Sequence, residues 1–231
     1  MTAERNPYEK LALDDPRRPI RVIETTKATV PEPSERFLMH YVDRVAFPNG
    51  NEGYHHRVKL PEGVMLAHLD DEEKLALVEN YRHPLGRNSV ELPSGALEPD
   101  ELERLASGNP FEQEEVLNEA ARREFEEEVG WRLGADAVQR LLKGPLQGSV
   151  GYADQTYHTF FGEGGEPTQQ TLDDGEQGLL KYRRYALDDA IEMVGHEIVD
   201  PATSAGVMAL GLAYGKSNLY LQRLRKDKIV L

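Results

Sequence analysis

Three glutamates near the middle of the chain, Glu124, Glu127 and Glu128, stand at i, i+3 and i+4 within the run REFEEEVG. On a helix this spacing puts the three carboxylates on one face. The placement is electrostatically poor, because like charges at this spacing repel and the C-terminal end of a helix already carries partial negative charge. A hard divalent cation with oxygen ligands relieves the repulsion, and Mg²⁺ in particular uses a few carboxylates together with substrate phosphates. The plain alternative is a solvated acidic face, the usual fate of a charge run on a helix.

The elements that must position these groups can be read along the chain. A helix is expected from Asn109, a good N-cap, through Pro110 at the first helical position to Gly130 just past the end. Val116, Leu117, Ala120, Ala121 and Phe125 supply its apolar stripe. Ahead of it, VMLAHL and KLALVENY flank the turn-like LDDEE and predict a β-hairpin, and ELPSG predicts a short strand running into a turn at Pro93–Gly95. The stretch ELERLASGNP predicts a short helical turn capped by Asp100 and ended by Gly108. Two earlier strands are expected at Ile20–Thr26 and Phe37–Phe47, followed by the turn PNGNEG. Later strands are expected at Tyr157–Phe161 and Gly178–Tyr185, and closing helices at Leu187–Val194 and Pro201–Leu224. This order predicts an α/β (α+β) sandwich over residues 61–231, with residues 1–60 as a small β-rich extension.

Composition removes several function classes. The 231 residues carry a formal net charge of −14 and no cysteine. That charge opposes nucleic-acid coating, which needs a basic surface. Without cysteine there is no disulfide framework, thiolate metal site or cysteine nucleophile. The apolar runs are short and the N-terminal MTAERNPYEK lacks a signal-type apolar region, so a soluble cytoplasmic protein without a membrane partner is expected. Histidines lack a ligand spacing, and Ser149 sits in no G-x-S-x-G elbow.

Glu115 lies eight residues before Arg123, and Gly130–Trp131 close the pattern. The run resembles the Nudix box: a glycine, five residues, Glu, seven residues, then R-E-hydrophobic-x-E-E-x-G-hydrophobic. Glu115 through Trp131 match its second part at every specified position, and Gly95 supplies the glycine. Nineteen residues separate Gly95 from Glu115 instead of five, which places a fourteen-residue insertion ahead of the helix. Glu101 stands at the expected distance from Gly95 but not from Arg123.

The resemblance implies a Nudix-type α/β/α sandwich with a mixed sheet, and a pyrophosphatase dependent on Mg²⁺ (or Mn²⁺). By that likeness Glu124, Glu127, Glu128 and the carbonyl of Ser94 hold metal, and Arg123 pairs with Glu115 behind the ligands. Glu119 is a competing partner for Arg123. LVENYRHP and ELPSG are similar to the same region of ADP-ribose and ADP-sugar pyrophosphatases, so Arg82 is expected at substrate phosphate and Glu91 near the site. Arg87 is a second candidate cation. SVGYADQ and EIVDPATSAGVMAL resemble two further family segments. The general base implied is a glutamate on the mobile loop GEGGEPTQQTLDDGEQG. Glu176 is the choice, with Asp173, Asp174 and Asp154 as alternatives; Glu127 and Arg123 complete the catalytic set. The implied substrate is a nucleoside diphosphate sugar, foremost ADP-ribose cleaved to AMP and ribose 5-phosphate. Another sugar such as GDP-mannose, a dinucleotide, or a non-catalytic binding module are the alternatives. A homodimer through the N-terminal extension is also implied.

Overall fold

The computed structural model of the chain describes residues 12–29 and 38–216. Two compact units emerge, Met1–Leu60 with Ser149–Asp154, and Pro61–Gly148 with Gln155–Leu231. The segment Ser149–Asp154, expected within the second unit, therefore lies with the first.

The first unit is an antiparallel sheet of β1 (Arg21–Lys27), β2 (Met39–Ala46) and β3 (Glu52–Lys59), in that order. Phe37, the expected start of the second strand, falls outside the described residues. The turn at Pro48–Gly50 closes the β2–β3 hairpin, with Gly50 at φ 85° and its N–H donating to Phe47 O at 2.9 Å. No strand was expected at β3, because EGYHHRVK carries little apolar alternation and its side chains are mostly exposed. The buried Asp43 pins the sheet from its middle strand. It accepts from Thr25 Oγ1 at 2.7 Å on one side and Arg57 Nε at 2.9 Å on the other. Burial opposes its ionisation, but these bonds and the Arg57 and Arg18 charges prevail and hold it below the usual carboxylate range.

The second unit is built on a mixed sheet. Its strands are β4 (Gly63–Leu69), β5 (Lys74–Arg82), β6 (Arg87–Glu91), β7 (Ser94–Ala96), β8 (Trp131–Arg132), β9 (Val138–Arg140), β10 (Leu146–Gln147), β11 (Thr156–Glu163), β12 (Glu166–Pro167) and β13 (Lys181–Ala186). The helices are α1 (Pro99–Ser107), α2 (Pro110–Val129), α3 (Leu187–Met193) and α4 (Pro201–Ala213). The central path runs β10-β11-β4-β5-β13, with β6 on β5, β7 on β4 and β9 on β11. Only β4 and β11 are parallel; β8 and β12 form a separate ribbon.

Strand β4 is buried along its whole length, so it reads as a continuous apolar run. Its alternate residues feed two cores. Val64 and Leu66 join Leu117, Ala120 and Phe125 of α2, whereas Met65, Ala67 and Leu69 join Leu187, Ile191, Val207 and Leu210 of α3 and α4. Helices therefore cover both faces, the expected α/β/α sandwich.

The VMLAHL–KLALVENY hairpin opens into a fork. β4 and β5 pair only at Leu69–Leu75, beside the turn. Farther out β7 pairs with β4 and β6 with β5, so Leu92–Pro93 crosses from one arm to the other. Helix α2 begins and ends where expected: Asn109 Oδ1 accepts from the N–H groups of Phe111 (3.0 Å) and Glu112 (3.2 Å), and Gly130 takes φ 70°. The expected short helical turn is a full helix, α1, and Glu98, not Asp100, precedes it. Helix α4 stops at Ala213, where Lys216 N–H donates to Gly211 O at 2.7 Å, short of the expected end; residues from 217 lie outside the described set. Among the described residues no helix is long and apolar enough to cross a membrane.

Phe125 is fully buried, with its ring 5.0 Å from that of His68. Replacing it with alanine should cost about 3–5 kcal/mol, read as a lower urea midpoint; a loss under about 1 kcal/mol would mean α2 is not seated through this ring.

Candidate active site

The last two turns of α2 carry Glu124, Glu127 and Glu128. Glu128 is 4% exposed, and its Oε2 accepts the Ser94 N–H at 2.8 Å. Burial drives its pKa well above the usual value, with Glu176 and Glu124 adding repulsion against the Ser94 bond and the Arg82 charge. Glu124 is raised to about 7, again chiefly by burial and then by the neighbouring acids, with Arg123 opposing. Glu127 is raised in the same way. The β7 loop packs directly on this face. A Cβ at Gly95 would lie 2.1 Å from the Glu124 carboxyl carbon, so a side chain there would have to displace this carboxylate.

Among the described residues, Arg123 is the cation hydrogen-bonded to the cluster. Its Nη1 donates to Glu124 Oε1 at 2.8 Å and to Glu127 Oε2 at 3.1 Å. Its Nε and Nη2 meet the two oxygens of Glu101, both at 2.9 Å. Burial alone would lower the Arg123 pKa, but Glu101, Glu124 and Glu127 outweigh it and hold the guanidinium charged.

The expected Arg123–Glu115 pair is therefore corrected. Glu115 is exposed on α2, and Glu119, the competing candidate, is bound to Arg104 at 2.9 Å. Glu101 is 7% exposed and also accepts the Glu98 N–H at 2.7 Å, so one side chain closes the start of α1 and holds Arg123. The glycine-to-glutamate spacing was the usable signal. The insertion falls between Glu101 and Arg123, in α1 and the front of α2, rather than between Gly95 and the box glutamate.

Beside the helix lies a cavity of about 420 Å³ lined by Arg82, Ser89, Glu91, Ser94, Tyr157 and Asp200, among others. It occupies the fork between the β4–β7 and β5–β6 arms. Arg82 Nε donates to Glu91 Oε1 at 2.9 Å and Oε2 at 3.2 Å, and Nη2 binds Oε2 as well. Glu91 is buried, and this pair raises the Arg82 pKa further above its already high value. Tyr157 and Asp200 on the cavity wall were given no role from the sequence, Tyr157 lying in an expected strand and Asp200 just before an expected helix. Asp200 Oδ2 accepts the Thr203 N–H at 2.6 Å and caps α4. Arg87 is exposed and donates to His196 O at 3.3 Å.

The loop between β11 and β13 brings two acids toward the helix, Asp173 repelling Glu127 and Glu176 repelling Glu124 and Glu128. Asp173 and Asp174 are exposed, whereas Glu176 is half-buried and interacts with both Glu124 and Glu128. Burial, with Asp173 repelling, raises its pKa. Asp154 belongs to the first unit, where it lines a cavity with Arg18, Asp43 and Arg57.

The donor set suits a hard cation: clustered carboxylates, desolvated and incompletely neutralised. Among the described residues no three such side chains already surround one point, because Glu124 and Glu127 turn onto Arg123. Seating an ion requires those two to swing away from the guanidinium.

A sandwich with an acidic helix end, and a cleft that holds Arg82, fits a hydrolase for phosphoric anhydrides. Residues 59–202 match the NUDIX domain, and the chain belongs to that family. Over 174 residues it is 30% identical to an ADP-ribose pyrophosphatase of Bacillus subtilis (strain 168), covering 74% of this chain and 84% of that protein. A methanol dehydrogenase activator of Bacillus methanolicus is 28% identical over 180 residues, 78% of this chain and 88% of that one. The fold also matches the crystal structure of an ADP compounds hydrolase, with a TM-score of 0.66 at 16% identity over 87% of this chain and 97% of that chain.

Two outcomes follow from the geometry. Glu101→Gln should lower turnover about 10–100-fold, as loss of a partner that orients a ligand does, while Glu115→Gln stays within about twofold; the reverse order would restore Glu115 to the pair. The second concerns pH. Glu124 binds its proton more tightly folded than unfolded, so its contribution to stability is present in acid and lost as pH rises through about 7. In EDTA the wild-type Tm should fall across that window, and Glu124→Gln should fall less; parallel curves would show that Glu124 does not titrate there.

Proposed function

We propose that the chain hydrolyses the pyrophosphate of a nucleoside diphosphate sugar, with ADP-ribose as its substrate and AMP and ribose 5-phosphate as products. The carrying observation is the desolvated acid cluster at the end of α2, set against a cleft whose cation, Arg82, is clamped in place by the buried Glu91. The name of the Bacillus subtilis relative supports ADP-ribose.

In this reading Glu124, Glu127, Glu128 and the Ser94 carbonyl hold Mg²⁺ or Mn²⁺. The bound ion supplies charge to the pyrophosphate oxygens and acidity to the attacking water. Arg82 binds a phosphate and offsets the field of an acidic protein. Ser94 N–H and Gly95 keep the β7 backbone against the carboxylates, and Glu101 holds Arg123 as Glu124 and Glu127 turn toward the ion. Glu176 takes the proton of the water whose oxygen bonds to phosphorus. The anhydride P–O bond breaks, and the departing phosphate leaves with its electron pair. The N-terminal unit serves as the dimerisation element.

The discriminating experiment is a substrate panel with Mg²⁺, its products separated by chromatography. ADP-ribose should give AMP and ribose 5-phosphate with the highest kcat/KM, EDTA should abolish turnover, and Glu128→Gln should lower kcat by about 10²-fold. Preference for GDP-mannose or a dinucleotide would reassign the substrate. Binding without turnover of any member would make the chain a binding module.

A further inference from the structure

Helices end with carbonyls that lack intrahelical partners, and the residues just beyond the end normally supply the missing donors. Helix α2 does this only in part. Gly130 N–H closes onto Glu126 O at 2.9 Å. The next carbonyls are satisfied from forty residues later in the chain: Glu127 O accepts the Thr171 N–H at 2.9 Å, and Glu128 O accepts the side-chain amide of Gln170. Gly130 O takes the Thr168 N–H at 2.8 Å. The approach is backbone against backbone, since a Cβ on Gly130 would lie 2.9 Å from Gln170 N.

These bonds divide the β11–β13 loop. Its root is tied at Gly164, whose carbonyl accepts from Trp131 Nε1 at 2.9 Å and pairs with His68 Nε2 at 2.8 Å. Glu166–Pro167 then pairs with Trp131–Arg132, and Thr168–Thr171 caps α2. Beyond Thr171 the backbone bonds turn local: Glu176 N–H to Asp173 O at 2.9 Å and Leu180 N–H to Glu176 O at 3.0 Å. Gln170 is thus the last side-chain tether to α2 before the stretch that carries Glu176.

We infer that Gln170 is a positioning residue, fastening the loop of Glu176 to the helix of Glu124, Glu127 and Glu128 and so setting where Glu176 stands over the attacking water. The inference rests on the reading of Glu176 as general base. Glu128 is the joint, its carbonyl holding the loop while its carboxylate holds the β7 backbone. The chemistry asks for a donor that is not acidic, because a carboxylate at position 170 would meet the negative end of α2. Methionine matches glutamine in length but donates nothing, whereas lysine keeps a donor.

The test measures kcat and KM for Gln170→Met, Gln170→Lys, Glu176→Gln and the Gln170→Met/Glu176→Gln double variant, with hydrogen exchange of residues 172–180 in the metal-free protein. Gln170→Met should lower kcat about tenfold with little change in KM, the scale of a misplaced reacting group. Exchange of residues 172–180 should quicken while the core of α2 stays protected, and Gln170→Lys should keep most of kcat. The double variant should be no slower than Glu176→Gln, because a residue acting through Glu176 has nothing left to act on. Losses that multiply, a wild-type kcat in Gln170→Met, or unchanged loop exchange would each overturn the inference. A Glu176→Gln variant with full kcat would overturn the base assignment itself, a separate failure. If Gln170→Met does not fold, Gln170→Asn, too short to reach Glu128 O, carries the same comparisons.

Discussion

Crowding three carboxylates, with Glu128 buried and Glu124 and Glu127 partly so, at the negative end of one helix is the constraint around which the second unit is arranged. Each desolvated charge costs several kcal/mol unless partnered, and the helix terminus adds to the cost. The surrounding parts offset this only in pieces. Arg123 reaches Glu124 and Glu127, and Glu128 has a single backbone N–H. The raised pKa values of all three record the remainder. On the proposed reading, the positive charge that the protein alone does not supply to this cluster comes from a bound cation.

The fork in the sheet follows from the same need. A fully zipped β4–β5 hairpin would leave no room beside α2. Parting after Leu69–Leu75 lets β7 bring Ser94 and Gly95 under the carboxylates and lets β6 bring Glu91 to Arg82. The alternation of β4 between two cores makes this tolerable, because Val64–Leu69 stay buried on both faces whichever strand pairs with them. Glycine at position 95 leaves the Glu124 carboxylate in its place against that loop. Helix α1 adds no carboxylate to the α2 face; it presents Glu101 to Arg123.

Much of this was legible in the sequence because local chemistry agreed with the fold. Asn109, Pro110 and Gly130 bound α2 correctly, and the i, i+3, i+4 spacing placed its acids together. Where distant contacts decided, reading failed. Glu115 satisfied the motif's spacing to Arg123, but only the docking of α1 on α2 shows that Glu101 holds the guanidinium. Strand β3 lacked alternation because it is paired but little buried. Tyr157 and Gln170 gave no signal, since each matters through partners far along the chain.

Charge sets the most direct test. The chain carries −14 overall, yet its central claim is that Glu124, Glu127 and Glu128 bind a divalent cation in their ionised forms. With Glu124 titrating near 7 and Glu128 raised well above the usual range, ion binding must displace protons. Titration calorimetry of Mg²⁺ binding near pH 6.5, in two buffers of different ionisation enthalpy, measures that release. The account predicts a buffer-dependent heat corresponding to net proton release, reduced in Glu124→Gln. Binding with no buffer dependence, or no binding at all, would contradict it.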